Sequence, residues 1–203
     1  MARGIVPMIM KNLIYKSSIC FIMLLFGLNS ATANEQMTSA ERIESAKILY
    51  NTDHKKEALD LLIKIPREDQ SEETYLLISN IYSEQGNLKS AVTFLNRAIS
   101  VNPNSFRAYY NLGVIYQKRN DPKGAIESYK KAISKIRVFP YAYYNLGCVY
   151  LSEKNYKAAK PNFIKAVNLK PDEKEFYHNL AYTYKMLGDT KNAQKILDVY
   201  NKF

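Results

Sequence analysis

Apolar residues recur along most of this chain at helical spacing, in pairs of short amphipathic segments separated by polar breaks. Residues 106–139 show the pattern most clearly. Tyr109, Leu112, Gly113 and Tyr116 fall on one face of a first predicted helix, and Ala125, Tyr129, Ala132 and Ile133 on one face of a second. Between them, Asn120-Asp121-Pro122 ends one helix and starts the next, with Asp121 placed to cap it and Pro122 suited to its first position. The same layout returns every 34 residues: Tyr75, Tyr109, Tyr143 and Tyr177 mark one point of it, Tyr82, Tyr116, Tyr150 and Tyr184 a second, and Ala91, Ala125, Ala159 and Ala193 a third. A period of this length without insertions predicts stacked helical hairpins, each burying its apolar face against the next.

Small residues recur where helices must approach closely. Gly113, Gly147 and Ala181 predict contact within a hairpin, and Ala98, Ala132 and Ala166 contact with the following one. A bulky side chain at Ala125 or Ala159 is expected to cost ~1–3 kcal/mol by overpacking. Pro103 and Pro171 fall where second helices must end, while Pro140 is preceded by Arg137 and Phe139 instead of following a proline three residues earlier. Pro161 lies inside a second helix, where a local bend is expected.

These residues resemble the tetratricopeptide repeat family, whose first helix is marked by a large residue, Leu, Gly or Ala, and Tyr, and whose second is marked by Ala, an aromatic, Ala and a closing Pro. The resemblance covers 72–203 almost without gaps. It implies an all-α, right-handed α-solenoid with repeats at 72–105, 106–139, 140–173 and 174–203, the last without a covering helix. Ala46, Leu49, Asp53, Ala58, Leu62 and Ile65 give a shortened version of the same layout, so 34–71 is expected to be a degenerate N-terminal capping hairpin, making about five in all.

Residues 1–33 differ in composition. Arg3, Lys11 and Lys16 precede an apolar run from Ile19 to Leu28 and then Ala31-Thr32-Ala33, the layout of a secretory signal peptide cleaved after Ala33. The alternative is an uncleaved anchor that leaves the repeats facing the periplasm. Cleavage would give a periplasmic or secreted protein whose one thiol is Cys148, with no internal disulfide. Its place between Gly147 and Val149 in a predicted helix favours burial over an intermolecular bond.

Charge is uneven as well as high. Of the formal +10, residues 34–75 carry 6 basic and 10 acidic side chains, and residues 76–203 carry 20 basic and 9 acidic. Lys123, Lys130, Lys131, Lys157, Lys160 and Lys165 fall mostly on second helices. Two readings stay open: a solvated outer surface, or attraction to a membrane or another anionic envelope component. Export argues against nucleic acid.

No metal motif, nucleophile elbow or Gly-rich phosphate loop is present, and His54 and His178 lie far apart. No cofactor and no enzymatic activity are expected. The resemblance implies instead a concave groove, lined by first helices, that receives a protein or peptide partner. Asn111, Asn145 and Asn179, again 34 residues apart, would line it, and carboxamides can hydrogen-bond a peptide backbone from both their donor and acceptor. Around them the resemblance places Arg107, Tyr110, Val114, Gln117 and Lys118, then Tyr141, Tyr144, Cys148 and Leu151, then Glu175, His178, Tyr182 and Lys185. The packing alternative is that such asparagines and tyrosines only hold neighbouring helices. The family's two-carboxylate clamp is not implied, because Leu76, Tyr141 and Asn145 occupy the places of its basic residues. The uncovered last hairpin is a second candidate surface, for another partner or for self-association.

Overall fold

The computed structural model describes residues 37–203, and the leader assigned to residues 1–33 lies outside them. Among the described residues there are ten α-helices, one 3-10 turn at Arg67–Asp69 and no strand. The helices pair into five helix-turn-helix hairpins, in two units, residues up to Gln70 and residues from Ser71. None of these helices is long and apolar enough to cross a membrane.

The first unit holds α1 (Ser39–Asn51) and α2 (Lys55–Leu62). Thr38 and Glu41 form a reciprocal capping box at the start of α1, satisfying two otherwise orphaned backbone donors. Ala46, Leu49, Ala58, Leu62 and Ile65 make its core. The chain turns at Asp53, with φ of +67°.

The second unit holds four hairpins: α3 (Glu72–Glu84) with α4 (Leu88–Val101), α5 (Phe106–Lys118) with α6 (Pro122–Lys135), α7 (Pro140–Ser152) with α8 (Tyr156–Leu169), and α9 (Lys174–Met186) with α10 (Thr190–Tyr200). Local chemistry repeats with the sequence. Gly86, Asn120, Lys154 and Gly188 take positive φ at the hairpin turns. The next residue, Asn87, Asp121, Asn155 or Asp189, caps the second helix by accepting from the backbone three positions on. Its own N–H donates back to the carbonyl of Tyr82, Tyr116, Tyr150 or Tyr184 at 2.8–3.0 Å. Each turn thereby closes on the last turn of the first helix, which fixes the hairpin angle.

Packing follows the small residues. A Cβ at Gly113 would stand 2.5 Å from the Tyr129 ring, and one at Gly147 would stand 2.7 Å from Phe163. These rings are fully buried, each contributing about 2–3 kcal/mol of apolar burial. Ala98, Ala132 and Ala166 are also fully buried, on second helices that pack against the next first helix. Pro140 opens α7 at its first turn, and α8 runs through Pro161 without interruption.

Second helices contact the following hairpin, and first helices also touch one another, α3 to α5, α5 to α7 and α7 to α9. Successive second helices make no comparable contact. The first helices therefore line the inner side of this unit and the second helices its outer side.

Candidate functional site

The inner side is built from side chains that reach from one hairpin to the next. Asn111 donates from Nδ2 to Asn80 Oδ1 at 3.0 Å, Asn145 to the Tyr110 hydroxyl at 3.0 Å, and Asn179 to the Tyr144 hydroxyl at 2.8 Å. All three asparagines are partly buried. Their amide donors tie adjacent first helices together, so part of each carboxamide serves packing, and Asn179 Oδ1 also meets His178 Nδ1 at 3.3 Å.

Ring contacts fix the tyrosines. Tyr110 meets Phe139 edge-on at 4.8 Å, Tyr141 meets Phe176 edge-on at 5.7 Å, and Tyr144 stacks on Phe176 at 4.5 Å. Phe139 also contacts Phe106 and Tyr141, which gives the departure from a proline-type junction before α7 a physical role. Its ring bridges two hairpins. Beside it, Lys170 donates to Tyr141 and Glu173, and this hydrogen bonding raises the lysine's pKa while lowering that of Glu173.

Burial sets the charge state of the inner wall. It raises the pKa of Tyr110 and Tyr144, and it raises that of the Cys148 thiol against the opposing hydrogen bonds from Tyr144 and Asn179. These groups are neutral at physiological pH. Cys148 is thus a poor nucleophile and metal ligand, while the wall offers hydroxyls and amides of the kind that match peptide groups. Among the described residues no group of three His, Cys, Asp or Glu side chains could hold a metal ion.

The other predicted residues divide by exposure. Arg107, Lys118, Tyr141, Glu175, His178, Tyr182 and Lys185 are exposed, and Val114, Gln117 and Leu151 are partly buried. Lys118 donates to Ser83 at 3.0 Å. Two hollows open among them. One of about 260 Å³ is lined by Tyr144, Lys174, Glu175, His178, Asn179 and Tyr200, and one of about 70 Å³ by Ser79, Asn80, Ser83, Asn111, Val114 and Ile115. Lys174 and Tyr200 were not legible as lining residues. Lys174 Nζ lies 4.6 Å from the Tyr200 ring centre, and that ring comes from the last second helix, after the repeating pattern has ended.

Family models described as TPR repeat match residues 80–120, and models described as tetratricopeptide repeat match 106–135, 140–173 and 174–198, together more than half of the chain. Among solved structures, MamA from Desulfovibrio magneticus RS-1 is similar at 21% identity and a TM-score of 0.72, covering 81% of this chain and 93% of that one. Two further MamA crystal structures align with TM-scores of 0.72 and 0.71 at 23% and 24% identity, covering 81% and 77% of this chain and 90% and 92% of theirs. At such identity the likeness is one of fold. Comparison with curated proteins finds no match.

Proposed function

Because the chain belongs to the tetratricopeptide repeat proteins, we propose that it is a protein-interaction scaffold whose inner side holds an extended peptide or a helix of a partner protein. The mechanism is binding without a chemical step. The observation that carries this reading is the inner wall itself, a regular row of asparagines among ring-locked tyrosines, neutral, partly exposed and interrupted by two hollows. Rigid aromatics bury area at low entropic cost and still hydrogen-bond, which suits recognition of a segment laid along the row. Arg107, Tyr110, Asn111, Val114, Lys118, Tyr141, Tyr144, Asn145, Cys148, His178, Asn179 and Tyr182 form the contact surface in this reading. The leader composition supports export, and in this reading the exported protein acts at an envelope or secretion assembly.

The asparagines also hold hairpins together, so their removal mixes binding with stability. Arg107, His178 and Tyr182 are exposed and better suited to the test. The full chain, tagged and expressed in its own cells, should lose a reproducibly co-purified protein when Arg107→Ala, His178→Ala and Tyr182→Ala are combined, with helical content and Tm retained. Unchanged recovery by the folded triple variant rejects the inner side as the binding surface.

A further inference from the structure

Charge in the four-hairpin unit is sorted by helix. The first helices α3, α5, α7 and α9 carry four basic and four acidic residues, whereas the second helices α4, α6, α8 and α10 carry eleven basic and two acidic. Nearly the whole positive excess therefore lies on the outer side.

It is also ordered. Lys89, Lys123, Lys157 and Lys191 stand 34 residues apart, each at the second position of its helix and each exposed. Arg97, Lys131 and Lys165 form a parallel exposed row eight residues further along the same helices, on the same face by helical geometry. Glu127 pairs with Lys131 at 2.8 Å, the one ion pair with an acid that either row makes among the described residues. Helix stability does not account for the first row, because a cation in the first turn opposes the positive end of the helix dipole. Aspartate caps, Asp121 and Asp189, stand at two of these ends, while the neutral caps Asn87 and Asn155 leave Lys89 and Lys157 uncompensated, so the row keeps a positive edge.

We propose that this outer face binds a bilayer surface of anionic phospholipid. Lysine is a compact ammonium on a flexible stem, able to meet headgroup phosphates without fixed geometry, and two rows of point charges on a broad helical face match a broad anionic plane. Single-stranded nucleic acid calls for open aromatic faces on which bases stack. Here, Tyr150, Tyr109 and Tyr184 already lie under the ammonium groups of Lys130, Lys131 and Lys160, at 6.0, 5.9 and 5.7 Å. The inner wall carries no comparable excess and remains available to a protein partner.

The test is co-sedimentation of the full chain with vesicles of phosphatidylcholine alone and of phosphatidylcholine with phosphatidylglycerol, at low and raised salt. The N-terminal cations Arg3, Lys11 and Lys16 also favour anionic vesicles but are common to every variant, so the change in the charge-dependent difference between variants reports the helix faces. Combining Lys89→Gln, Lys123→Gln, Lys157→Gln and Lys191→Gln should weaken that difference by about tenfold or more. The matched control removes the four basic residues of the first helices, through Arg107→Gln, Lys118→Gln, Lys174→Gln and Lys185→Gln, and should change it less than about threefold. Circular dichroism confirms that both variants fold. Equal binding to neutral vesicles, an unchanged row variant, or equal losses in the two variants overturns the proposal. Tighter binding to a duplex or single-stranded oligonucleotide than to anionic vesicles at matched phosphate concentration also overturns it, in favour of nucleic acid.

Discussion

Asn145 donates from Nδ2 to the hydroxyl of Tyr110 at 3.0 Å, joining the first helices of two successive hairpins. Asn179 and Tyr144 repeat the bond one period later at 2.8 Å. The donor and acceptor lie 35 residues apart, so each pair spans a boundary between repeats. Asn145→Ala and Tyr110→Phe should each destabilise the chain by about 1 kcal/mol, and a double-mutant cycle should return a coupling of about 0.5–1.5 kcal/mol. Urea unfolding of the four proteins measures it. Strict additivity would mean that the pair adds nothing to stacking.

Gly113 and Gly188 should respond to alanine for opposite reasons. At Gly113 the added Cβ would stand 2.5 Å from the Tyr129 ring, and overpacking of about 1–3 kcal/mol outweighs the gain in helix propensity. At Gly188 nothing lies within 4 Å, but φ is +78°, so the loss of about 1–2 kcal/mol is purely conformational. Pairing Gly113→Ala with Tyr129→Leu should recover part of the first loss; no second substitution that only makes room should rescue Gly188→Ala. Thermal unfolding distinguishes the two.

Alkaline pH should destabilise the chain through its buried tyrosines. Burial raises the folded pKa of Tyr129 well above the ordinary 10.0, and raises that of Tyr110 and Tyr144. The unfolded chain releases these protons first, so their contribution is complete below pH 10 and is lost progressively as pH rises beyond it. Tyr129→Phe removes one titration along with the hydrogen bond to Gln117. It should cost about 1 kcal/mol near neutrality and make the decline above pH 10 shallower. An unchanged slope in urea midpoints between pH 8 and 11 would contradict this.

Cys148 should react slowly in the folded protein. Burial raises its thiol pKa, and Asn179 lies against its sulfur at 3.5 Å. Alkylation by iodoacetamide at pH 7.5 should be at least tenfold slower than in urea, and the ratio should shrink at a site that opens. Equal rates would place the thiol in solvent.

The period made the hairpins legible, because packing repeats wherever a glycine faces a ring, as at Gly113 with Tyr129 and Gly147 with Phe163. Asp121 and Pro122 were legible as a helix start for the same local reason. Bonds between repeats were not, since the Tyr110–Asn145 partnership depends on how far one hairpin is rotated against the next. Phe139 read as a departure from the pattern and proved to be a bridging ring. The outer lysines were legible in part: Lys123 and Lys157 stood out, but Lys89 and Lys191 complete the row only when every second helix has a known first residue.

In the proposed function a protein partner occupies the inner side. Site-specific photocrosslinking in the native cells locates that partner, with a photoreactive amino acid placed in separate strains at Tyr182 or Arg107 on the inner helices and at Lys123 or Lys157 on the outer ones. Tyr182 and Arg107 should give a discrete protein adduct, and the two outer positions none. Protein adducts confined to Lys123 and Lys157 would place the partner on the outer helices and rule out the inner side.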